Sequence, residues 1–163
     1  MSFAALSVKG RALRYLAQRE HSRAELERKL ARHVQDRPGH DGFVRPEDTA
    51  QAQIAKALDE LTAADLLSEA RAAQAVLNGQ GQRYGSRRLR QTLQAKGLEP
   101  DLVRETLQQA RGTELERARE VWRRRFGAPP NNAKERAKQM RFLAGRGFDG
   151  EVIRRVVQGS DGD

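Results

Sequence analysis

A short stretch of this chain, residues 84–98, is dense in side chains that can bind phosphate. Its cationic residues surround the apolar Leu89 and Leu93, whose spacing of four predicts a helix with one buried side and one basic side. The cationic residues are Arg87, Arg88, Arg90 and Lys96, and Arg83 lies just before the stretch. Because a guanidinium group can bond two phosphate oxygens at once, the pattern indicates contact with a polyanion. Tyr84 precedes them, and its ring could stack on a base, lie over an arginine or fasten the start of the helix.

Two further basic clusters follow, one at the end of a predicted helix and one along the next. They are Arg123, Arg124 and Arg125, and Lys134, Arg136, Lys138 and Arg141. Acidic residues are expected to be sparse around these clusters, which favours an anionic partner, since like charges otherwise repel without compensation. The alternative is that helices with a thin core need solvated faces, and that a GC-rich genome supplies arginine for them.

The excess positive charge lies in one part of the chain. Residues 83–146 contain 17 basic and 7 acidic residues, whereas residues 1–82 contain 12 and 11, and residues 147–163 contain 2 and 4. Within the formal net charge of +9, the middle segment therefore contributes +10. Such an uneven distribution is typical of a protein with one face toward a polyanion.

The sequence lacks the residue patterns that are typical of catalytic and metal-binding sites. It has no cysteine, and its three histidines, His21, His33 and His40, show no spacing typical of metal ligands. We interpret all three as surface or capping residues. The glycines near residue 80 do not continue into a phosphate-binding loop, and most carboxylates stand beside arginine or at helix starts. The sequence predicts a protein that is not an enzyme and has no cofactor and no metal.

No apolar run approaches the roughly 20 residues that a membrane span requires. The beginning of the chain, MSFAALSVKGRALRY, lacks the long apolar segment of a secretory signal. A cytoplasmic location without membrane contact is therefore expected.

One pattern occurs three times along the chain. Leu93, the turn 96–98 and the apolar residues after it are matched fifty residues later by Leu143, the turn 146–148 and a second apolar set. A looser copy places Gly42-Phe43 where the later copies have Gly97-Leu98 and Gly147-Phe148. Self-similarity at a fixed period is typical of stacked copies of one small structural unit.

Helical periodicity dominates throughout, which predicts an all-α fold. Nine helices and three copies of the pattern indicate a tandem array of three small three-helix repeats, elongated and curved. We predict repeats at 1–66, 67–111 and 112–158, a long loop at 35–45 in the first repeat, and a disordered tail at 159–163.

Several helix starts are predicted from capping residues. The first helix spans about Ser7 to Arg19, with Leu13, Leu16 and Ala17 facing inward. Pro46 with two following acids predicts the start of the third helix. Ser22 and Thr113, each followed three residues later by glutamate, predict capping boxes.

The order and spacing of several motifs resemble the RecX regulatory family over about residues 10–158. The motifs are ALRYL at 12–16, HSRAEL at 21–26, KL at 29–30, LDEL at 58–61, LLS at 66–68, YGSRRL at 84–89, LQAKG at 93–97, RA at 117–118, WRRRF at 122–126, KER at 134–136 and FLAGRGF at 142–148. Two departures stand out. The family's usual Asp-x-Arg-Phe-Ala appears here as Glu69-Ala70-Arg71-Ala72-Ala73, and the loop at 35–45 is long.

The resemblance implies a negative regulator of the RecA recombinase. Family members lie in the groove of the filament that RecA forms on single-stranded DNA, where they block extension or promote disassembly. Strand exchange, ATP turnover and coprotease activity are thereby suppressed. The implied partners are the RecA filament and single-stranded DNA, with weaker binding to duplex DNA, and the protein is expected to be a monomer. The implied filament- or DNA-contacting residues are Tyr84 and the three basic clusters named above.

Two other functions remain open at this point. A helix pair around Gly97 or Gly147 could act as a helix-turn-helix reader in a transcriptional regulator. Three similar units in one chain speak against that function, since such readers usually dimerise. A purely structural adaptor is the third possibility, but it does not explain the net charge of +10 in residues 83–146, the basic segment.

Overall fold

The computed structural model describes residues 5–159. Within this range nine α-helices follow one another, and the extended structure is limited to one bridge between Pro38 and Val44. The all-α prediction is confirmed. The helices are α1 Val8–Gln18, α2 Arg23–Ala31, α3 Ala50–Ala63, α4 Glu69–Gln80, α5 Ser86–Ala95, α6 Pro100–Arg111, α7 Glu114–Arg125, α8 Ala133–Gly145 and α9 Gly150–Val157.

The chain forms two compact units, Met1–Ala72 and Ala73–Asp163. The first unit holds one hydrophobic cluster, made by α1, α2 and α3 and centred on Leu26, Leu30 and Leu58, which are fully buried. Burying a leucine side chain contributes about 2 kcal/mol, so a few such residues hold a small three-helix group together.

The second unit holds two further clusters. One joins α4, α5 and α6 around Leu89 and Leu93, and the other joins α7, α8 and α9 around Leu143 and Phe148. Three consecutive groups of three helices agree with the repeat pattern in the sequence. The boundaries at 1–66, 67–111 and 112–158 stay predictions.

Two predicted details of the first unit are wrong. Leu13 is 38% exposed and Ala17 is also exposed, because α1 turns Ala12 inward, with Tyr15 and Leu16 packed beside it. The third helix does not start at Pro46. Residues 46–48 form a separate 3-10 turn, and α3 begins at Ala50, where the Thr49 hydroxyl accepts a hydrogen bond from the Ala52 amide at 3.2 Å.

The three turn glycines share a left-handed backbone, but the residues after them differ. Gly42, Gly97 and Gly147 have φ values of +80°, +69° and +84°, a region that favours glycine. Leu98 and Phe148 are buried at 6% and 1% exposure, whereas Phe43 is 74% exposed. The predicted equivalence of Phe43 is therefore wrong, because the extra residues of the first loop carry it away from the core.

The end of the chain was predicted to be a disordered tail. Its residues 160–163 lie outside the described residues, as do residues 1–4.

Candidate polyanion interface

Helix α5 presents an arginine face to solvent. Leu89 and Leu93 on its opposite side are fully buried, which leaves Arg87, Arg88 and Arg90 exposed. The helix contains no acidic residue, and within residues 5–159 none of these three arginines forms an ion pair. Their positive charge is therefore available to an external anion. The fourth predicted contact, Lys96, is half-buried at the end of the helix.

The start of α5 is bound by a buried carboxylate from the start of α7. Glu114 is 4% exposed. It accepts hydrogen bonds from the Ser86 amide at 3.1 Å and the Ser86 hydroxyl at 2.9 Å. The same carboxylate accepts a hydrogen bond from the Asp149 amide at 3.3 Å, just before α9. One side chain thus connects the beginnings of three helices.

The predicted capping box at Thr113 does not form. Thr113 makes no side-chain cap bond. Its hydroxyl instead donates to the carbonyl of Ala110 at 3.4 Å and accepts from Nε of Arg117 at 3.1 Å. Glu114, the neighbouring acid, serves as a cap for α5 rather than for its own helix.

Backbone groups complete the attachment of α5 to the turn before α9. The Gly85 amide donates to the Arg146 carbonyl at 2.9 Å, and the Arg87 amide donates to the Gly147 carbonyl at 3.0 Å. Neither Gly85 nor Gly147 has room for a Cβ atom, since one at Gly147 would lie 2.7 Å from the Arg88 amide nitrogen. These amides are unavailable to phosphate, so the side chains of α5 must make any contact with a polyanion.

Arg117, on α7, bonds the loop that precedes α5 and the end of α6. Its guanidinium donates to the carbonyl oxygens of Gly81 at 2.5 Å, Tyr84 at 2.6 Å and Ala110 at 2.7 Å. Burial lowers the pKa of Arg117 from its ordinary value, and the charge of Glu114 works in the opposite direction. With its donors engaged by the backbone, Arg117 positions the loop before α5 and is not part of the exposed basic surface.

Tyr84 lies among arginines rather than being open to a base. The Arg88 guanidinium is 4.3 Å from the centroid of the half-buried ring, with Arg146 at 5.6 Å and Arg83 at 5.9 Å. Of the three sequence-based alternatives for Tyr84, contact with arginine is the one observed. Cation–π contact restrains these side chains while leaving guanidinium N–H groups at their edges free to bond an anion.

A groove of about 520 Å³ lies beside this cluster. Val121 and Phe142 form its apolar lining, and Arg83, Arg125 and Arg146 are among the cations around it. Arg146 and Arg125 are 5.3 Å and 5.7 Å from the centroid of the Phe142 ring. In the described part of the chain, none of these three arginines has a carboxylate partner. The groove therefore combines apolar surface with three guanidinium groups that form no ion pair in that part of the chain. The carboxylates of Glu116 and Glu120 also line it, and Glu120 pairs with Arg124.

Comparison with known proteins assigns the chain to a family. Three family models match, described as RecX first, second and third three-helix domains, at residues 9–34, 68–107 and 113–157. The Regulatory protein RecX of Leptothrix cholodnii is 49% identical over 156 residues, covering 96% of this chain and 90% of that protein. The chain belongs to the RecX family. The Chromobacterium violaceum RecX protein is 41% identical, covering 96% and 93% of the two chains.

Solved RecX structures have the same fold. The crystal structure of RecX from Lactobacillus salivarius superposes with a TM-score of 0.70, covering 94% of each chain at 18% identity. RecX proteins are regulatory proteins rather than enzymes, so family membership confirms the prediction of a non-enzymatic chain. Across the residues that the structure describes, no helix is long and apolar enough to cross a membrane.

The other predicted basic clusters of this RecX-family chain differ in their surroundings. Arg123 and Arg124 are paired with Glu120 at 3.6 Å and 3.0 Å, so the expected scarcity of acids is wrong at the end of α7. The cations of α8 are all exposed and form no ion pair within the described residues, but none of them lines the groove. They are Lys134, Arg136, Lys138 and Arg141.

Sequence reasoning placed Arg83 beside the basic helix but missed Arg146 as a member of the arginine group around Tyr84. Arg83 was visible as a cation beside Tyr84, and Arg146 as the residue before a turn glycine. Their proximity depends on how α5 packs on the third helix group, so no local pattern reveals it. Glu114 and Arg117 were missed as positioning residues for the same reason.

His21 corrects the expectation that all three histidines are surface or capping residues. Its side chain is 1% exposed. Its ring lies 5.9 Å from the ring of Tyr15, Nδ1 is 2.9 Å from the carbonyl oxygen of Arg19, and Nε2 is 3.1 Å from Nζ of Lys29. These contacts fit a neutral ring whose Nε2 accepts from Lys29, and burial lowers the pKa of His21. No group of three possible metal ligands occurs among residues 5–159.

Proposed function

We propose that this chain is a negative regulator of the RecA recombinase. It binds in the groove of the RecA filament on single-stranded DNA and blocks extension or promotes disassembly. Strand exchange, ATP hydrolysis and coprotease activity fall as a result. It acts in the cytoplasm as a monomer, and it binds free duplex DNA more weakly than single strands. Membership of the RecX family supports this proposal, because the relatives are named as regulatory proteins.

The observation that supports an interface on α5 is its uncompensated arginine face. Arg87, Arg88 and Arg90 are exposed on one short helix without an acidic neighbour in it. The helix itself is fixed at its start by Glu114, so the three charges keep a defined spacing when a partner approaches. A preorganised array loses less conformational entropy on binding than three independent side chains on a mobile loop.

A charge-reversal variant tests the role of this face. The purified protein is added at well below one molecule per RecA to filaments on single-stranded DNA, and ATP hydrolysis is followed. The wild-type chain is expected to lower the rate progressively. The triple variant Arg87→Glu, Arg88→Glu, Arg90→Glu is expected to lose this inhibition while its far-ultraviolet circular dichroism stays unchanged.

A matched control separates position from net charge. Arg14, Arg32 and Lys56 are exposed in the first unit, and reversing all three to Glu changes the net charge by the same amount. The control variant should inhibit like the wild type. Full inhibition by the α5 variant would contradict the site but not the function, whereas no inhibition by the wild type, even in excess, would contradict the function.

Binding to free DNA adds a second measurement. If the arginines contact phosphates, affinity for single-stranded DNA falls steeply with salt, because each contact releases condensed counterions. A flat salt dependence would mean that these arginines meet protein instead. Preference for one duplex sequence would favour the helix-turn-helix regulator.

A further inference from the structure

Phe43 is a large apolar side chain that the fold leaves in solvent. It is 74% exposed, the highest exposure among the large hydrophobic residues of the described chain. Leu98 and Phe148, which follow the turn glycines of the later copies, are buried in their clusters. Phe43 follows Gly42, whose left-handed backbone matches that of the other two turns. Phe43 is not among the residues of the first unit's hydrophobic cluster, whereas Val34, just after α2, packs against it.

The tip of the loop is held by its own hydrogen bonds. The Phe43 amide donates to Asp41 Oδ1 at 3.1 Å, and the Phe43 carbonyl accepts from the Gly39 amide at 2.9 Å. Arg45 pairs with the second oxygen of Asp41 at 3.3 Å. Both backbone groups of Phe43 are therefore engaged inside the loop, next to the bridge between Pro38 and Val44.

The base of the loop is fastened to α3. Asp36 Oδ1 accepts from the Ala50 amide at 2.7 Å, at the first residue of that helix. The Arg37 amide donates to the Asp48 carbonyl at 2.9 Å, and Gln53 Nε2 donates to the carbonyl of Gln35 at 2.9 Å. An exposed aromatic ring on an anchored loop has few degrees of freedom to lose, which is the property of an interface anchor.

The surroundings of Phe43 are acidic. Residues 35–48 contain four carboxylates, Asp36, Asp41, Glu47 and Asp48, against two arginines. This balance is opposite to that of residues 83–146, and it repels phosphate. Nucleic acid and anionic membranes are therefore poor partners for the loop, whereas a protein pocket with a basic rim is complementary to it.

The small area of the Phe43 side chain limits how much of a protein interface it can form. One phenylalanine covers about 200 Å², far below the roughly 1,200 Å² of a stable protein interface. Phe43 cannot hold two copies of this chain together by itself. It fits a secondary contact within a larger complex, such as the one that the proposed function supplies.

We infer that Phe43 is a protein-binding anchor that inserts into an apolar, basic-rimmed pocket on a protein subunit of the filament. This inference rests on the proposed function. The anchor strengthens binding to the filament without contributing to binding of free DNA. The first unit thus contacts protein through Phe43, while the arginines of residues 83–146 contact the polyanion.

The test compares full-length Phe43→Ala with the wild type in three assays. Binding to preassembled RecA filaments on fluorescently labelled single-stranded DNA is expected to weaken about tenfold, the effect of losing one good anchor. Affinity for the same DNA without RecA, and the urea midpoint, should not change. Leu66→Ala is the matched control, since Leu66 is 49% exposed in the same unit but outside the loop. It should bind filaments like the wild type.

Each other outcome overturns the inference in a recognisable way. Equal filament affinity of wild type and Phe43→Ala overturns the anchor alone. Weaker binding of Phe43→Ala to free DNA shows that the ring meets nucleic acid. A wild-type dimer in sedimentation that dissociates in Phe43→Ala shows that the occupant is a second copy. Failure of the wild type to bind filaments at all removes the proposed function, and the inference with it.

Discussion

Glu69 and Arg71 lie at the start of α4 much as Glu114 and Arg117 lie at the start of α7. Glu69 Oε1 accepts from the Arg23 amide at 2.6 Å, in the first turn of α2. Arg71 pairs with two carboxylates, Glu20 and Asp65, each at 3.0 Å. All of these residues belong to the first unit, and the ion pairs of Arg71 are open to solvent.

In the second unit neither of the two corresponding residues, Glu114 and Arg117, forms an ion pair within the described residues. Glu114 is buried and bonded to neutral N–H and O–H groups, and Arg117 is bonded to three carbonyls. Exposed ion pairs are screened and contribute little. Buried groups that lose a partner remain unsatisfied, and this costs far more. The comparison teaches that the same glutamate–arginine pattern stabilises each helix start through a different balance of charge and burial.

The largest expected difference in unfolding free energy is between the variants Glu114→Ala and Glu69→Ala. Removing Glu114 should cost about 3 kcal/mol of unfolding free energy, because the buried amide and hydroxyl of Ser86 lose their acceptor. Removing Glu69 takes away one cap bond and should cost about 1 kcal/mol. Urea denaturation followed by circular dichroism measures both, and fluorescence of Trp122, the one tryptophan, follows the second unit. Equal costs would show that burial of Glu114 is unimportant.

Substitutions of the turn glycines Gly147 and Gly42 compare the two units in the stability cost of a backbone change. Gly147→Ala should cost about 2–3 kcal/mol, since it combines a strained left-handed φ with a clash against Arg88. Gly42→Ala has the same φ problem but open space around it, and should cost about 1 kcal/mol. The same urea titration gives both values. A larger loss for Gly42→Ala would contradict the close packing of α5 on the turn at Gly147.

Arg117→Met and Arg71→Met compare the stability contributed by an arginine bonded to backbone carbonyls with that of an arginine held by ion pairs. Arg117→Met should lower the unfolding free energy by about 2 kcal/mol, because the bonds to three carbonyls are lost. Arg71→Met should change it by no more than the error of the measurement. Repeating the titration in 1 M salt tests the reason, since salt screens ion pairs between side chains more than hydrogen bonds to backbone carbonyls. A strong salt dependence of the effect of Arg117→Met would contradict its role as a donor to backbone carbonyls.

The smallest expected effect is a pH dependence confined to the first unit. The pKa of His21 is lowered by burial, so the unfolded chain binds a proton more readily than the folded one. The stability from neutral His21 is therefore full above about pH 6.5, the ordinary histidine pKa, and is lost as pH falls below it. His21→Gln should flatten the fall in urea midpoint between pH 7 and pH 5. An unchanged slope would assign that fall to other groups.

Much of the helical framework was predictable because it depends on local features. Four-residue spacing of Leu89 and Leu93 sets the buried side of α5, and glycines at 97 and 147 end helices where the chain turns left-handed. The arginines of α5 are exposed for the same reason, since they occupy the other side of that helix. These outcomes require only neighbours within one or two turns.

Other features depended on contacts that no spacing reveals. Thr113 and Glu116 match a capping box in sequence, yet the Thr113 hydroxyl bonds Ala110 and Arg117. The acid that caps a helix here is Glu114, which bonds Ser86 at the start of α5. His21 looked like a surface residue, but Tyr15 and Lys29 enclose it.

The sequence by itself determined the helices, their order, the repeated pattern and the basic segment, because periodicity, capping residues and charge act locally. Only the tertiary structure decided which arginines contact the same aromatic ring and which carboxylate is buried. It also decided that Phe43 is exposed, although sequence alone paired it with the buried Leu98 and Phe148. Those outcomes follow from packing between residues far apart in the chain, where space and hydrogen-bond partners select among side chains that look alike in sequence.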